Sequence, residues 1–163
     1  MYLVDSDVFI DGKNHHYGFD IAPGFWDFLQ HAHEQRRVFT VHRCYEEVTD
    51  TGDDLSLWML GRPSTFALKP TGADTPSLQR VSRWAMGLLR RQGVAASWLS
   101  TGDYFLVSQA LTLGYTVVTH ERPAPQSVTK IKIPDACDAM NVPWMSPFEM
   151  LRAEGAQFSF TPR

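Results

Sequence analysis

Short β-branched runs alternate with helix-like stretches along this chain, and that alternation limits the folds open to it more than any other feature. The runs that predict strands are residues 2–4, 38–41, 115–119 and 131–133. The stretches that predict helices are residues 25–37, 42–50, 51–60, 77–92, 102–113 and 147–152. Strands that alternate with helices are typical of an α/β fold, so we expect a three-layer α/β/α sandwich around a mainly parallel sheet.

The composition fits one folded domain over residues 1–163, because 44% of the residues are hydrophobic and a chain of this length can bury a core. No apolar run approaches the length of a membrane span, and no leader pattern opens the chain. The two cysteines, Cys44 and Cys137, form no paired motif. They fit small buried residues in a reducing compartment. We therefore expect a cytoplasmic protein without a membrane segment.

Acidic residues follow the predicted strands and open one of the helices. Asp5 ends the first strand, Glu121 comes just after residues 115–119, and Asp135 follows residues 131–133. Asp103 opens the helix that precedes the strand at 115–119. Because the carboxyl ends of parallel strands meet at one rim of the sheet, we expect these four carboxylates to lie close together.

A fifth carboxylate can be assigned from its angle on a helix. The apolar stripe of the helix at 42–50 passes through Cys44 and Val48. At 100° per residue Glu47 borders this stripe, whereas Glu46 points nearly opposite. We expect Glu47 to face the domain and Glu46 to face solvent.

Several carboxylates in one cleft repel one another unless a cation lies between them. Oxygen ligands favour Mg²⁺ or Mn²⁺, and the natural partner of such an ion is a phosphate. Each acid also has a purely structural explanation: Asp103, for instance, is favourable at a helix N-terminus whether or not it binds metal. Asp5 is the hardest to explain structurally, because it ends an apolar strand.

The ordered set of acids in YLVDSDVFI, CYEEV, TGDYFLVSQALTLGYTVVTHE and KIKIPDACDAM resembles the PIN-domain family, which includes VapC-like toxins. The resemblance covers nearly the whole chain and is most similar to a bacterial PIN-like subgroup. Asp7 stands where the family often has Asn, and Glu121 stands where it often has Asp.

The resemblance implies a Mg²⁺- or Mn²⁺-dependent endoribonuclease, the toxin of a toxin–antitoxin pair. Its catalytic and metal-binding residues would be Asp5, Glu47, Asp103 and Glu121, with Asp135 as an additional metal carboxylate. RNA would be the substrate, a small antitoxin protein would block the acidic cleft, and a homodimer is common in the family. Ser6, Asp7 and Thr119 lie beside these acids and are expected to hydrogen-bond them.

Basic residues offer contacts for RNA phosphates. The formal net charge is −3, but the chain is mildly basic once the five proposed acids are set aside. The helix at 77–92 carries an arginine face opposite an apolar face that includes Leu88 and Leu89. The candidate RNA contacts are Arg83, Arg90, Lys130 and Lys132, although an arginine face is equally consistent with a solvated helix surface.

Two other functions remain open from the sequence. DSDVF also resembles the first motif of haloacid-dehalogenase-type phosphatases, but Val107 stands where their late motif needs another acid, and Lys69 fits their catalytic lysine poorly. A catalytically inert PIN-like binding module would keep the fold without the metal. His15 and His16 follow the first strand in a loop, where paired histidines are more often surface residues than a transition-metal site, and His120 beside Glu121 is equally consistent with a substrate contact and with a local hydrogen bond.

Overall fold

The computed structural model describes residues 1–159, in which a five-stranded parallel sheet is covered by helices on both faces. The strands are β1 (Tyr2–Val4), β2 (Val38–Val41), β3 (Ala67–Leu68), β4 (Thr116–Val118) and β5 (Trp144–Met145). Their order is β3-β2-β1-β4-β5, and every neighbouring pair is parallel. The three-layer α/β/α fold predicted from the sequence is confirmed.

Helices connect the strands and cover the sheet, as parallel strands require. They are α1 (Ser6–Asp11), α2 (Pro23–Glu34), α3 (His42–Thr49), α4 (Asp54–Leu60), α5 (Thr75–Gly87), α6 (Val94–Trp98), α7 (Gly102–Leu113), α8 (Ile133–Met140) and α9 (Pro147–Ala153). A π-helical turn (Gly12–His16) continues α1, and a 3₁₀ turn (Gly72–Asp74) precedes α5.

Successive strand residues point to opposite faces of the sheet and fill two separate cores. Leu3 and Val117 pack with α5, α7 and α8 on one face. Val4 and Val118 pack with α1, α2, α4 and α9 on the other. Both cysteines are free and buried, as predicted. No helix within residues 1–159 combines the length and the apolar character that crossing a membrane demands.

Three predicted strands are confirmed as β1, β2 and β4, and the fourth is wrong. Residues 131–133 form no strand: Ile133 is the first residue of α8, with Pro134 next to it. Proline in the first turn favours a helix start, because its missing N–H would be unpaired there anyway. β3 and β5 are each two residues long and were not predicted, because such short runs carry no periodic signal.

The arginine-bearing helix is shorter than the sequence predicts. It ends at Gly87, and Leu88 is already extended with a ψ of 141°. Leu89, which was expected on the buried stripe, is 91% exposed. The segment that follows contains α6, a helix that the sequence analysis did not predict, after Gly93 at a positive φ of 83°.

The chain order places one crevice where functional sites in such sheets form. From β1 the chain crosses to β2 on one side, whereas β4 joins β1 on the other side. The strand order therefore reverses between β1 and β4, and ligands of open α/β sheets bind beyond the carboxyl ends of the strands at such a point. Asp5 directly follows β1, and Thr119 directly follows β4.

Candidate active site

Asp5 is a buried acid at the carboxyl end of β1, with 1% of its surface exposed. Its N–H donates to the carbonyl of Val118 at 3.0 Å, which continues the pairing of β1 with β4. The Thr119 hydroxyl donates to Oδ2 at 2.9 Å, and the Ser6 hydroxyl lies 3.5 Å from Oδ1. In the part of the chain that the structure describes, no Lys, Arg or His side chain lies within 4.0 Å of this carboxylate.

Glu47 on α3 is half-buried and its contacts are with the domain, as its angular position predicts. It accepts the Ser6 hydroxyl at 2.9 Å and the N–H of Gly102 at 2.7 Å. Glu47 thereby joins the end of β1 to the N-terminus of α7, where the helix dipole stabilises a negative charge. Glu46, in contrast, is 44% exposed and pairs with Arg43 on the surface.

Gly102 allows this close approach. A Cβ at that position would lie 2.6 Å from Glu47 Oε2 and 2.8 Å from the Cys44 sulfur. Both distances are shorter than van der Waals contact permits, so a side chain at position 102 would force the Glu47 carboxylate and the Cys44 thiol to move.

Asp103 is in the first turn of α7. It directly follows Gly102, whose N–H donates to Glu47. Its Oδ2 accepts the indole N–H of Trp98 at 3.1 Å. Burial, followed by the negative charges of Glu121, Asp7 and Glu47, raises the pKa of Asp103 to about 7. The carboxylates of the site are therefore close enough to oppose each other's ionisation.

Glu121 follows β4 and is held by three contacts. Lys132 forms an ion pair with Oε1, and the N–H of Ile133 donates to Oε2 at 2.7 Å. The N–H of Glu121 donates to the Thr119 hydroxyl oxygen at 3.1 Å. Burial lowers the pKa of Lys132, but its hydrogen bond to Glu121 and the charges of Asp103 and Asp7 outweigh this and raise it. Lys132 is therefore a resident cation at this acid.

A cavity of about 700 Å³ opens beside these residues, and we call it the acidic cleft. Its charged lining consists of Asp7, Asp103, Glu121, Lys130 and Lys132, and its polar lining includes Ser97, Thr101 and Thr129. Asp5 and Glu47 do not line the cavity but are joined to it through the contacts described above.

Asp7 contributes more to the cleft than the sequence analysis expected. Although the residue as a whole is exposed, burial by its surroundings, together with the charges of Asp11 and Glu121, raises the pKa of its carboxyl group. Asp7 therefore belongs with Asp103 as a direct cleft acid.

Burial raises the pKa of Asp5 well above its ordinary value, and the charges of Asp103 and Asp7 raise it further. A buried acid that is surrounded by other acids costs free energy when it ionises. A divalent cation with oxygen ligands would remove that cost, so the donor set fits Mg²⁺ or Mn²⁺.

The acids do not form a ready-made metal cage. Within residues 1–159, no three Asp, Glu, His or Cys side chains are arranged to hold a metal ion as they stand. Two of the carboxylates are instead held by protein donors: Glu47 by Ser6 and Gly102, and Glu121 by Lys132. Ion binding would therefore require a local adjustment of these side chains.

Asp135 is not brought into the cleft. It lies on α8, and both of its carboxylate oxygens accept the N–H of Ala124, at 3.0 and 3.1 Å. It lines a separate cavity of about 250 Å³ that also contains Arg90. Asp135 was expected to follow a strand at residues 131–133, but Ile133 begins α8 instead. The metal role of Asp135 stays a prediction without geometric support.

The four candidate RNA contacts divide between two places. Lys130 and Lys132 line the acidic cleft. Arg90 lies in the smaller cavity and donates to the carbonyl of Pro125 at 3.2 Å, and Arg83 is exposed on α5. Only the two lysines are therefore positioned near the acids.

Helix α6 lines part of the acidic cleft and was not predicted from the sequence. Trp98 at the end of α6 is buried, and its indole N–H donates to Asp103. The available signal was the short run VAASW between Gly93 and Thr101, which has helix-forming alanines and a glycine directly before it.

A family model described as "Domain of unknown function (DUF4411)" matches residues 2–158. No curated protein and no solved structure matches the chain.

Proposed function

This chain belongs to the DUF4411 family, whose description assigns no activity, and from its own site we propose that it is a Mg²⁺- or Mn²⁺-dependent endoribonuclease. The proposal rests on one observation: buried acids gather at the switch point of a parallel sheet without enough protein cations to neutralise them. The resemblance to PIN-domain sequences supports the choice of RNA as the substrate.

The charge balance of the cleft supports a bound cation. Asp5 and Asp103 have no Lys, Arg or His within 4.0 Å in the described residues. Lys132 neutralises Glu121 only. We propose that Asp5, Asp103 and Asp7 hold the ion, with Glu47 joining them after a small side-chain adjustment.

A divalent ion in this position would lower the pKa of a bound water and offset the charge that develops on a phosphate. The chain's own residues have distinct tasks around it. Thr119 and Ser6 fix the orientation of Asp5 and Glu47 through their hydroxyl groups. Lys132, beside Glu121, would meet a phosphate oxygen at the mouth of the cleft.

The proposed partners and cellular location rest only on the resemblance to the PIN-domain family. We propose that a small antitoxin protein blocks the acidic cleft with a basic segment, since opposite charges favour such a complex. We also propose that the protein acts on cytoplasmic RNA and forms a homodimer, as relatives in the PIN-domain family do.

An inert binding module is the second candidate, and the absence of a ready-made three-ligand arrangement within residues 1–159 favours it. Calorimetric titration with Mg²⁺ or Mn²⁺ separates the two candidates, because the inert module would show no binding heat. The phosphatase alternative loses support, since Lys69 lies beyond β3 and lines a different cavity.

The decisive experiment replaces Asp5 by Asn, which keeps the size of the side chain and removes its charge. We expect Asp5→Asn to lower the cleavage of single-stranded RNA by at least about a hundredfold, since even residues that only support metal ligands cost 10–100-fold. The matched control is Asp27→Asn on the exposed side of α2, which should cleave like the wild type. Thermal unfolding checks that both variants fold, and undiminished cleavage by folded Asp5→Asn would reject the proposal.

A further inference from the structure

A group of aromatic side chains lies beside the acidic cleft and has no role in the proposed chemistry. We call it the aromatic shelf; its members are His16, Tyr17, His120 and Phe148. The ring centroids of His16 and His120 are 5.0 Å apart, and each lies 5.9 Å from the ring of Phe148. These rings come from three segments: the turn after α1, the segment after β4 and the start of α9.

The shelf is anchored on one side and open on the other. Tyr17 stacks on Phe25 with centroids 4.1 Å apart and an interplanar angle of 15°, and Phe25 is fully buried in the core. His16 is exposed, and Phe148 is 41% exposed. A rigid base with exposed rings is a suitable platform for a flat ligand.

One polar atom of the shelf is unsatisfied. Nε2 of His120 is buried and has no hydrogen-bond partner among residues 1–159. Buried polar atoms without partners are rare in folded proteins. The arrangement around His120 is therefore not explained by the stability of the fold alone.

Positive charge flanks the shelf. Arg122 is two residues after His120, and Arg152 is one helical turn after Phe148, on the same side of α9. Both arginines are exposed, and neither has a carboxylate within 4.0 Å in the described chain. Exposed aromatic rings next to exposed arginines are a combination that binds unpaired nucleic acid bases and their phosphates.

The aromatic shelf is joined to the acidic cleft along the chain, because His120 directly precedes Glu121, which lines the cleft. Thr119 donates its hydroxyl to Asp5 and its backbone N–H to the carbonyl of Met145 in β5. His120 follows Thr119 directly, and α9 with Phe148 begins just after β5. Because all strands are parallel, these residues lie on the same rim of the sheet as the acids.

We infer that the aromatic shelf stacks unpaired bases of a single-stranded RNA whose backbone enters the acidic cleft. This inference rests on the proposed function and adds the form of its substrate. Duplex RNA fits poorly, because its bases are already stacked on each other and their faces are hidden. Stacking on rings tolerates any base, so the shelf selects strandedness and not sequence.

The test measures binding separately from cleavage. All proteins carry Asp103→Asn to prevent turnover, and their affinities are measured by fluorescence anisotropy for a labelled oligouridine and for an abasic strand of equal length and charge. We expect the background protein to prefer the oligouridine by about tenfold, and His16→Ala with Phe148→Ala to remove that preference without changing abasic binding. Leu89→Ala, an exposed apolar residue elsewhere, is the matched control and should change neither affinity.

A second measurement does not depend on the variants. An oligonucleotide that contains 2-aminopurine should lose fluorescence on binding when its base stacks on the shelf. Equal affinity for the oligouridine and the abasic strand, or unchanged 2-aminopurine fluorescence, would overturn the inference. So would a dimer, detected by sedimentation, that the shelf variant abolishes while RNA binding stays the same.

The two proposals fail in different ways. If the wild type cleaves RNA but shows no preference for bases over abasic sites, the shelf inference is wrong and the nuclease proposal stands. If the protein binds bases through the shelf but wild type and Asp5→Asn are equally inactive, the nuclease proposal is wrong and the shelf stands.

Discussion

Two cavities of nearly equal size lie at different places around this sheet, and their buried polar groups differ. The acidic cleft measures about 700 Å³. The second, which we call the edge cavity, measures about 710 Å³ and runs along β3 between Met1, Phe39 and Tyr115. Volume therefore does not distinguish a functional site here.

The two cavities differ in how their polar groups are satisfied. In the edge cavity the buried ring of His33 has a partner at each nitrogen: the carbonyl of Val38 at 3.0 Å and the Thr65 hydroxyl at 3.1 Å. In the acidic cleft, burial and neighbouring acids raise the pKa of Asp5 and Asp103. Satisfied groups stabilise a fold, whereas uncompensated charges point to a missing ligand.

The largest effect is expected at Gly102, where Glu47 and Cys44 leave no room for a side chain. Gly102→Ala places a Cβ 2.6 Å from Glu47 Oε2, so we expect it to destabilise the fold by about 1–3 kcal/mol and to abolish RNA cleavage. Chemical denaturation gives the first quantity. Gly87→Ala is the matched control, because nothing lies within 4 Å of its added Cβ; a stable and active Gly102→Ala would contradict the close approach of α3 and α7.

The pH dependence of stability should differ between the cavities. Because the folded pKa of Asp103 is about 7 and its ordinary value is 3.8, the folded state keeps a proton that the unfolded state releases. The stability of the metal-free protein should therefore fall as pH rises from about 4 to about 7. Thermal unfolding in a chelator measures this slope.

The variant Asp103→Asn should flatten that slope, and Glu34→Gln in the edge cavity should leave it unchanged. Added Mg²⁺ should raise the melting temperature above pH 7 more than at about pH 5, since only the ionised acids bind the ion. A melting temperature that rises with pH in the chelator would contradict the proposed charge balance.

A smaller effect is expected from replacing Lys132, the cation that pairs with Glu121. Lys132→Met leaves Glu121 unneutralised, so Mg²⁺ should bind about tenfold more tightly in calorimetry. RNA should bind more weakly, and the salt dependence of its affinity should lose about one unit of slope. Lys69→Met, in the edge cavity, should alter neither measurement, and a Lys132→Met protein with unchanged Mg²⁺ affinity would argue against its place in the cleft.

The smallest effect is expected at Asp135. Its carboxylate accepts the Ala124 N–H outside the cleft, so Asp135→Asn should lower stability by about 1 kcal/mol and change RNA cleavage less than threefold, well below the 10–100-fold cost of losing support for a metal ligand. The rate of RNA cleavage by Asp135→Asn, compared with the wild type, tests this expectation. A loss as large as that of Asp5→Asn would restore the metal role that the sequence suggested.

The sequence predicted the parts of the site that follow from periodicity. The strands β1, β2 and β4 were readable from their short apolar and β-branched runs, and the angle of Glu47 on α3 was readable from the helical spacing of Cys44 and Val48. The contacts of Asp5 with Thr119 and of Glu47 with Gly102 span more than fifty residues. Such long-range contacts depend on packing, so only the presence of the acids could be predicted.

Other features left no periodic signal. The helix start at Ile133 replaced a predicted strand because Pro134 favours the first helical turn. The pairing of Lys132 with Glu121 and the meeting of His16 with His120 join residues on irregular segments. Sequence patterns fix elements, but irregular segments take their positions from the finished core.

The bond between Asp5 and Thr119 has a consequence for the timing of synthesis. Asp5 leaves the ribosome before its hydroxyl partner Thr119, which is 114 residues further along. At about 5–20 residues per second this interval lasts about 6–23 seconds. A nascent chain therefore cannot form this hydrogen bond until Thr119 has left the ribosome, and any cleavage of nearby messages would begin only after that point.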